Sequence, residues 1–125
     1  STSLSKMEST VKLKELIEKL NLGVRSAKDS LDREVVRGYA SDLLSDVLAN
    51  TEEGDLWITL QIHQNIAAVA SMKNLAGIVL VNGREPEQET VEKAEAENIV
   101  IVVTDLPAFE LVGRLYGLGI TGMGR

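Results

Sequence analysis

The chain contains no cysteine, which excludes disulfides, thiol catalysis, iron–sulfur clusters and cysteine-ligated zinc. Its one histidine is His63, and with neither a serine-nucleophile motif nor a second histidine no catalytic triad can be written. Asp, Glu and His show no metal-ligand spacing, so neither a metal nor a cofactor is expected. No G-x-x-x-x-G-K-S/T loop occurs, which removes the usual machinery of nucleotide hydrolysis. No stretch approaches the ~18 apolar residues that span a bilayer, and residues 1–7 lack the apolar segment of a signal peptide. A cytoplasmic protein without a membrane partner is expected. Positive charge is also scarce, with 13 Lys and Arg against 19 Asp and Glu and a net charge of −6. Nucleic acid and anionic membranes both need concentrated positive charge, so neither is expected as a partner.

What is present suits one packed domain: 125 residues, 44% apolar and 26% charged. The chain opens Ser-Thr-Ser, and residues 1–6 read as an expression scar or a disordered start before Met7. A single domain is expected over 7–120, followed by a flexible tail over 121–125. Leu13, Leu16, Ile17 and Leu20 recur at helical spacing among Lys and Glu, and the helix should end at Asn21-Leu22-Gly23. Residues 24–33 read as a short strand and a loop, and 34–39 as a strand. Ser41 is placed to cap a following helix through Leu43, Leu44, Val47 and Leu48, with Asp42 in its first turn.

Beyond residue 55 the pattern sharpens. Strands are expected over 55–62 (DLWITLQI), 77–81 (GIVLV) and 99–103 (IVIVV), and helices over 65–75, 87–97 and 107–118. Short, continuously apolar strands alternating with helices indicate a mostly parallel sheet covered on both faces. The expected fold is therefore an α/β three-layer sandwich around a sheet of about five strands.

In such sheets ligands collect beyond the carboxyl ends of the strands, where helix N-termini present free amides. Four successive strand ends carry polar residues: Gly38, Ser41 and Asp42; Gln61, His63 and Asn65; Asn82 and Gly83; Thr104 and Asp105. These are the candidate ligand-binding residues. Each also has a plain structural role available, since Ser41, Asn65 and Asp105 are natural caps and Asn82-Gly83 is an ordinary turn. His63 is suited to ligand contact or to proton transfer, and equally to the part of a hydrogen-bonded loop or interface histidine.

Gly117, Gly119 and Gly122 spell G-x-G-x-x-G, but the run follows an expected helix and only three residues remain after it. A dinucleotide site needs a strand before and a helix after, so a helix cap and a tail are the better reading. The 65–75 segment, NIAAVASMKNL, is apolar around most of its circumference, as a helix buried on more than one side would be. Its small Ala and Ser residues could pack within the domain or against a second copy, and a homodimer using this helix is expected. Trp57, in a strand, reads as core.

The segments GYASDLLSDVLA (38–49), LWITLQIHQNIAAVA (56–70), AGIVLVNGREP (76–86) and VVTDLPAFELVGRLYGLGI (102–120) resemble the DRTGG domain family. The resemblance runs from about Leu13 to Ile120. It implies a fold like that of the N-terminal domain of bacterial HPr kinase/phosphorylase, and a regulatory or ligand-sensing role with no established chemistry of its own. The literal DRTGG string is absent, and the corresponding region reads Gly38-Tyr39-Ala40-Ser41-Asp42. The kinase's phosphate-loop domain is absent too, so kinase activity is not carried over.

The leading expectation is a non-catalytic sensor that binds a small metabolite or nucleotide-like ligand at the strand ends and signals to a regulatory protein partner. Two alternatives are a small acid–base enzyme using His63 with Asp42 or Asp105, and a purely structural dimerisation module. Two carboxylates among the candidates favour a ligand bearing donor groups over bare phosphate.

Overall fold

The structure is a computed structural model that describes residues 11–123. Residues 1–10, including the expected scar and Met7, and residues 124–125 lie outside the described residues. Along the chain run β1 (Val11–Lys12), α1 (Leu13–Leu20), β2 (Gly23–Val24), a single 3-10 turn (Lys28–Ser30), β3 (Glu34–Val35) and β4 (Arg37–Ala40). They are followed by α2 (Leu44–Asn50), β5 (Asp55–Thr59), α3 (Asn65–Lys73), β6 (Gly77–Leu80), α4 (Gln88–Ala96), β7 (Ile101–Val103) and α5 (Ala108–Gly117).

Five strands form one sheet in the order β2-β7-β6-β5-β4. β4, β5, β6 and β7 are mutually parallel, and β2 is antiparallel to β7. β1 and β3 make a separate antiparallel pair. Because side chains alternate across a strand, an all-apolar strand feeds a core on each face. Leu56, Ile58, Val79 and Val102 face one way and pack with Leu13 and Leu16 of α1 and Leu111 and Leu115 of α5. Trp57, Ile78, Leu80, Ile101 and Val103 face the other way and pack with Val47 of α2, Ile66, Ala67, Val69 and Ala70 of α3, and Ala94 of α4. The result is the three-layer α/β sandwich expected. Trp57 is core: it is fully buried, and its Nε1 donates to the Ser41 carbonyl at 2.8 Å.

α1 stops where expected, at Asn21, whose φ of 54° is left-handed. The expected strand over 34–39 is divided. β3 pairs with β1, β4 joins the main sheet, and Val36 between them donates its N–H to the Gly54 carbonyl at 2.9 Å. At the start of β4, Arg37 Nε reaches both oxygens of fully buried Asp55 at 3.0 Å, and Glu52 N–H donates to the same carboxylate at 2.8 Å. This ion pair fastens the starts of β4 and β5 together, and the extra backbone donor meets a lone pair that burial would otherwise leave unsatisfied.

The apolar circumference of α3 is consumed inside the domain. The helix lies between α2 and α4 on the sheet, with Ile66, Ala67, Val69 and Ala70 buried and Met72 exposed. The feature that suggested a second copy against this helix is thus intramolecular packing. At the chain's end, the Thr121 carbonyl accepts a hydrogen bond from Gly38 N–H of β4 at 3.0 Å, and Gly122 N–H donates to the hydroxyl of Tyr116 of α5 at 3.2 Å. Gly119 supplies the positive φ, +96°, that turns the chain after α5.

Candidate functional site

Parallel strands bring the ends of β4, β5, β6 and β7 to one edge, which carries two depressions on either side of the start of α5. The larger has a volume of about 440 Å³ and is walled by Leu20 and Asn21 at the end of α1, Gly23 and Arg25 around β2, Gly83 and Glu85 after β6, Thr104 to Leu106 after β7, and Arg114 of α5. The smaller, about 200 Å³, includes Ser41, Asp42, Thr59, Leu60, Val81 and Ala108.

In the larger cleft the local turns are set by the backbone. Asn82 and Gly83 have φ of 61° and 70°, and their N–H groups donate to the carbonyls of Leu106 and Thr104 at 2.9 Å each. The Asn-Gly pair is therefore the turn its sequence suggests, and it also joins the loops after β6 and β7. Thr104 Oγ1 accepts from Leu106 N–H at 3.2 Å, which bends the chain toward α5. A Cβ on Gly83 would stand 3.3 Å from Asp105 Oδ1, so the absence of a side chain keeps the space before that carboxylate open.

Arg25 and Glu85 form a two-point ion pair across this cleft, with Nε to Oε1 at 2.7 Å and Nη2 to Oε2 at 2.9 Å. The hydrogen bond from Arg25 holds the Glu85 carboxyl below its usual range, with the nearby positive charge adding to it and desolvation opposing. Arg25 packs close over Gly23, where a Cβ would lie 2.8 Å from Nη1, the guanidinium nitrogen outside the pair. Arg114 donates Nε to Glu110 Oε2 at 3.0 Å, one helical turn away. Asp105 makes no hydrogen bond or ion pair with any other described residue.

The structure divides the sequence candidates into groups. Gly83, Thr104 and Asp105 share the larger cleft, with Asn82 in its supporting turn. Ser41 and Asp42 line the smaller depression, but neither has the role expected of it. α2 begins only at Leu44, with Leu43 as its cap residue, and Ser41 Oγ accepts from Leu43 N–H at 3.2 Å. Asp42 is turned away from the helix and toward the end of β5. Its Oδ1 accepts from Thr59 Oγ1 and from Leu60 N–H at 2.7 Å each, and its carbonyl accepts from Gln61 Nε2 at 2.8 Å. Those bonds end β5 at Thr59, short of residue 62. Gln61 belongs to this latch. His63 stands outside both depressions, exposed, with Nδ1 3.0 Å from Glu87 Oε1, so its partner is Glu87 and neither Asp42 nor Asp105. Asn65 is the exposed first residue of α3. Gly38 faces a separate groove of about 290 Å³ between β4 and α5, lined by Ile58, Val112, Leu115 and Tyr116 among others.

Sequence reasoning missed Arg25, Glu85 and Arg114. Arg25 and Glu85 are 60 positions apart, and nothing local links them. Arg114 sits four residues after Glu110, a spacing that by itself reads as a surface helix pair. Among the described residues no group of three or more His, Cys, Asp or Glu is placed to hold a metal ion, and no helix is long and apolar enough to cross a membrane.

No protein-family model matches the chain, and no curated protein matches it. Its fold is similar to that of the CBS and DRTGG domains of the regulatory region of Clostridium perfringens pyrophosphatase, a crystal structure in complex with the activator diadenosine tetraphosphate. The two are 17% identical with a TM-score of 0.70, and the match covers 91% of this chain and 49% of that one. The chain therefore spans about half the length of that neighbour. The class this defines is a mostly parallel, three-layer α/β domain, a fold also found in a regulatory region of a larger enzyme.

Proposed function

We propose that this domain is a non-catalytic ligand sensor of the DRTGG type, which takes a small molecule into the 440 Å³ cleft at the ends of β6 and β7 and passes its occupancy to a protein partner. The observation that carries the reading is the convergence in that cleft of Gly83, Thr104 and Asp105 with Arg25, Glu85 and Arg114, which arrive from four separate parts of the chain. A concave site with a few convergent polar groups at the carboxyl edge of an α/β sheet is where such folds bind ligands. The pyrophosphatase region with this fold is complexed with a nucleotide activator, which supports both the regulatory role and a nucleotide-like ligand. His63 lies outside this cleft with Nδ1 3.0 Å from Glu87 Oε1, so the geometry lends no support to an acid–base pair of His63 with Asp42 or Asp105.

Self-association into a homodimer is a separate part of the proposal. Ile66, Ala67, Val69 and Ala70 of α3 are taken up within the domain, which leaves Met72 as the large apolar side chain that this helix exposes. The large apolar side chains left open on α5 are Phe109, 93% exposed, and Tyr116, 54% exposed, and a second copy would cover them. Light scattering at tens of micromolar that reads a monomer removes the dimer from the proposal.

The sensing proposal is tested by thermal shift across a panel of nucleotides, amino acids and sugar phosphates, with Asp105→Arg as the control that fills the cleft and reverses its charge. A ligand at about 100 times its Kd adds roughly 2.7 kcal/mol of stability, and the variant should abolish that gain. A panel with no stabilising compound, or one whose effects persist unchanged in Asp105→Arg, refutes the site.

A further inference from the structure

The chemistry of the larger cleft narrows the class of ligand, and this inference rests on the sensing reading above. Arg25 is committed, because both Glu85 oxygens hold it. Arg114 is committed only through Nε, and its two terminal nitrogens have no partner among the described residues. Asp105 is uncommitted, and the glycine at position 83 leaves the approach to its carboxylate open. One wall therefore offers a guanidinium fork and another offers an acceptor-only carboxylate.

We propose that the cleft binds a nucleoside monophosphate, with the phosphate on the terminal nitrogens of Arg114 and the ribose 2′ and 3′ hydroxyls on Asp105. A planar guanidinium matches two phosphate oxygens at once. A carboxylate has only acceptors, and its two oxygens match the paired donors of a vicinal diol. Leu20 and Leu106, which also line the cleft, offer apolar surface to the base. Charge limits the phosphates to one: Arg25 and Glu85 neutralise each other, and a single guanidinium with open terminal nitrogens, that of Arg114, stands in a cleft that also holds the Asp105 carboxylate, on a chain of net charge −6. Size gives the same limit, since about 440 Å³ lies toward the low end of the ~300–1,000 Å³ range of small-molecule sites, which suits a mononucleotide and not a dinucleoside polyphosphate.

The test is isothermal titration of the full chain with AMP, 2′-deoxy-AMP, adenosine and ATP. AMP should bind saturably and more tightly than ATP, and loss of the 2′ hydroxyl should weaken it roughly tenfold, as expected for a hydrogen bond to a charged group. Asp105→Asn should shrink the gap between AMP and 2′-deoxy-AMP, and Arg114→Gln should shrink the gap between AMP and adenosine. Both side chains are exposed, and circular dichroism checks that the variants fold. AMP binding that neither variant alters, or ATP binding more tightly than AMP, overturns the assignment. If no nucleotide binds but another panel compound stabilises the protein and loses its effect in Asp105→Arg, the nucleotide class is wrong and the sensor reading stands. If nothing in the panel binds, both fall.

Discussion

Replacing Asp42 by alanine separates a structural carboxylate from a ligand-binding one. In the structure Oδ1 of Asp42 is the acceptor for the Thr59 hydroxyl and the Leu60 N–H, both at 2.7 Å. Leu60 is exposed and can turn to water, so its share is small. Thr59 is only 2% exposed, and its hydroxyl proton would be left without an acceptor, which costs about 1–3 kcal/mol. The expected loss is therefore about 2 kcal/mol for Asp42→Ala. Asp42→Asn keeps a neutral acceptor at the same place and should lose about 0.5–1 kcal/mol. Trp57 is the only tryptophan, is fully buried, and is bonded to Ser41 next door, so its fluorescence reports this region during urea unfolding. A loss of about 2 kcal/mol lowers the urea midpoint by about 1 M and the melting temperature by roughly 10 °C. AMP affinity, corrected for stability, should not change. An unchanged midpoint together with weakened AMP binding would refute the reasoning and return Asp42 to the ligand.

Val69→Glu should unfold the domain at 25 °C without first releasing a folded monomer, because Val69 is 4% exposed within the second core and an unpaired carboxylate there costs several kcal/mol; a folded variant by circular dichroism contradicts this. The carboxyl of Asp46 is held below its usual value by hydrogen bonds from the hydroxyls of Ser41 and Tyr39. Its folded pKa is depressed, so its contribution to stability is present above the unfolded value and is lost as pH falls through the folded one, below about pH 4. Urea midpoints across that window should fall less steeply in Asp46→Asn than in the parent chain, and parallel curves would show that Asp46 contributes nothing. The purified chain should not hydrolyse nucleoside triphosphates, since no phosphate loop with its lysine is present; turnover that disappears in His63→Ala would overturn this.

Hydrophobic periodicity and run length are local properties, and they alone determined the order and kind of elements from residue 55 onward. GIVLV and IVIVV read as buried strands by their shortness and β-branched content, NIAAVASMK was apolar all round because neighbours lie on several sides, and the parallel sheet followed from the alternation of the two. The edge at which a ligand would enter was legible for the same reason, because parallel strands end together. What tertiary structure decided was which polar residues remain open there. Asp42 reads as a first-turn helix residue, yet the end of β5, 17 positions on, presents two donors that capture its carboxylate and begin α2 later. Arg25 carries no local signal, and it becomes a wall of the cleft only because β2 pairs antiparallel with β7 and brings it to Glu85. Likewise the buried circumference of α3 is visible in sequence, whereas whether its cover is another copy or its own α2 and α4 depends on packing between segments far apart in the chain, which no local pattern encodes.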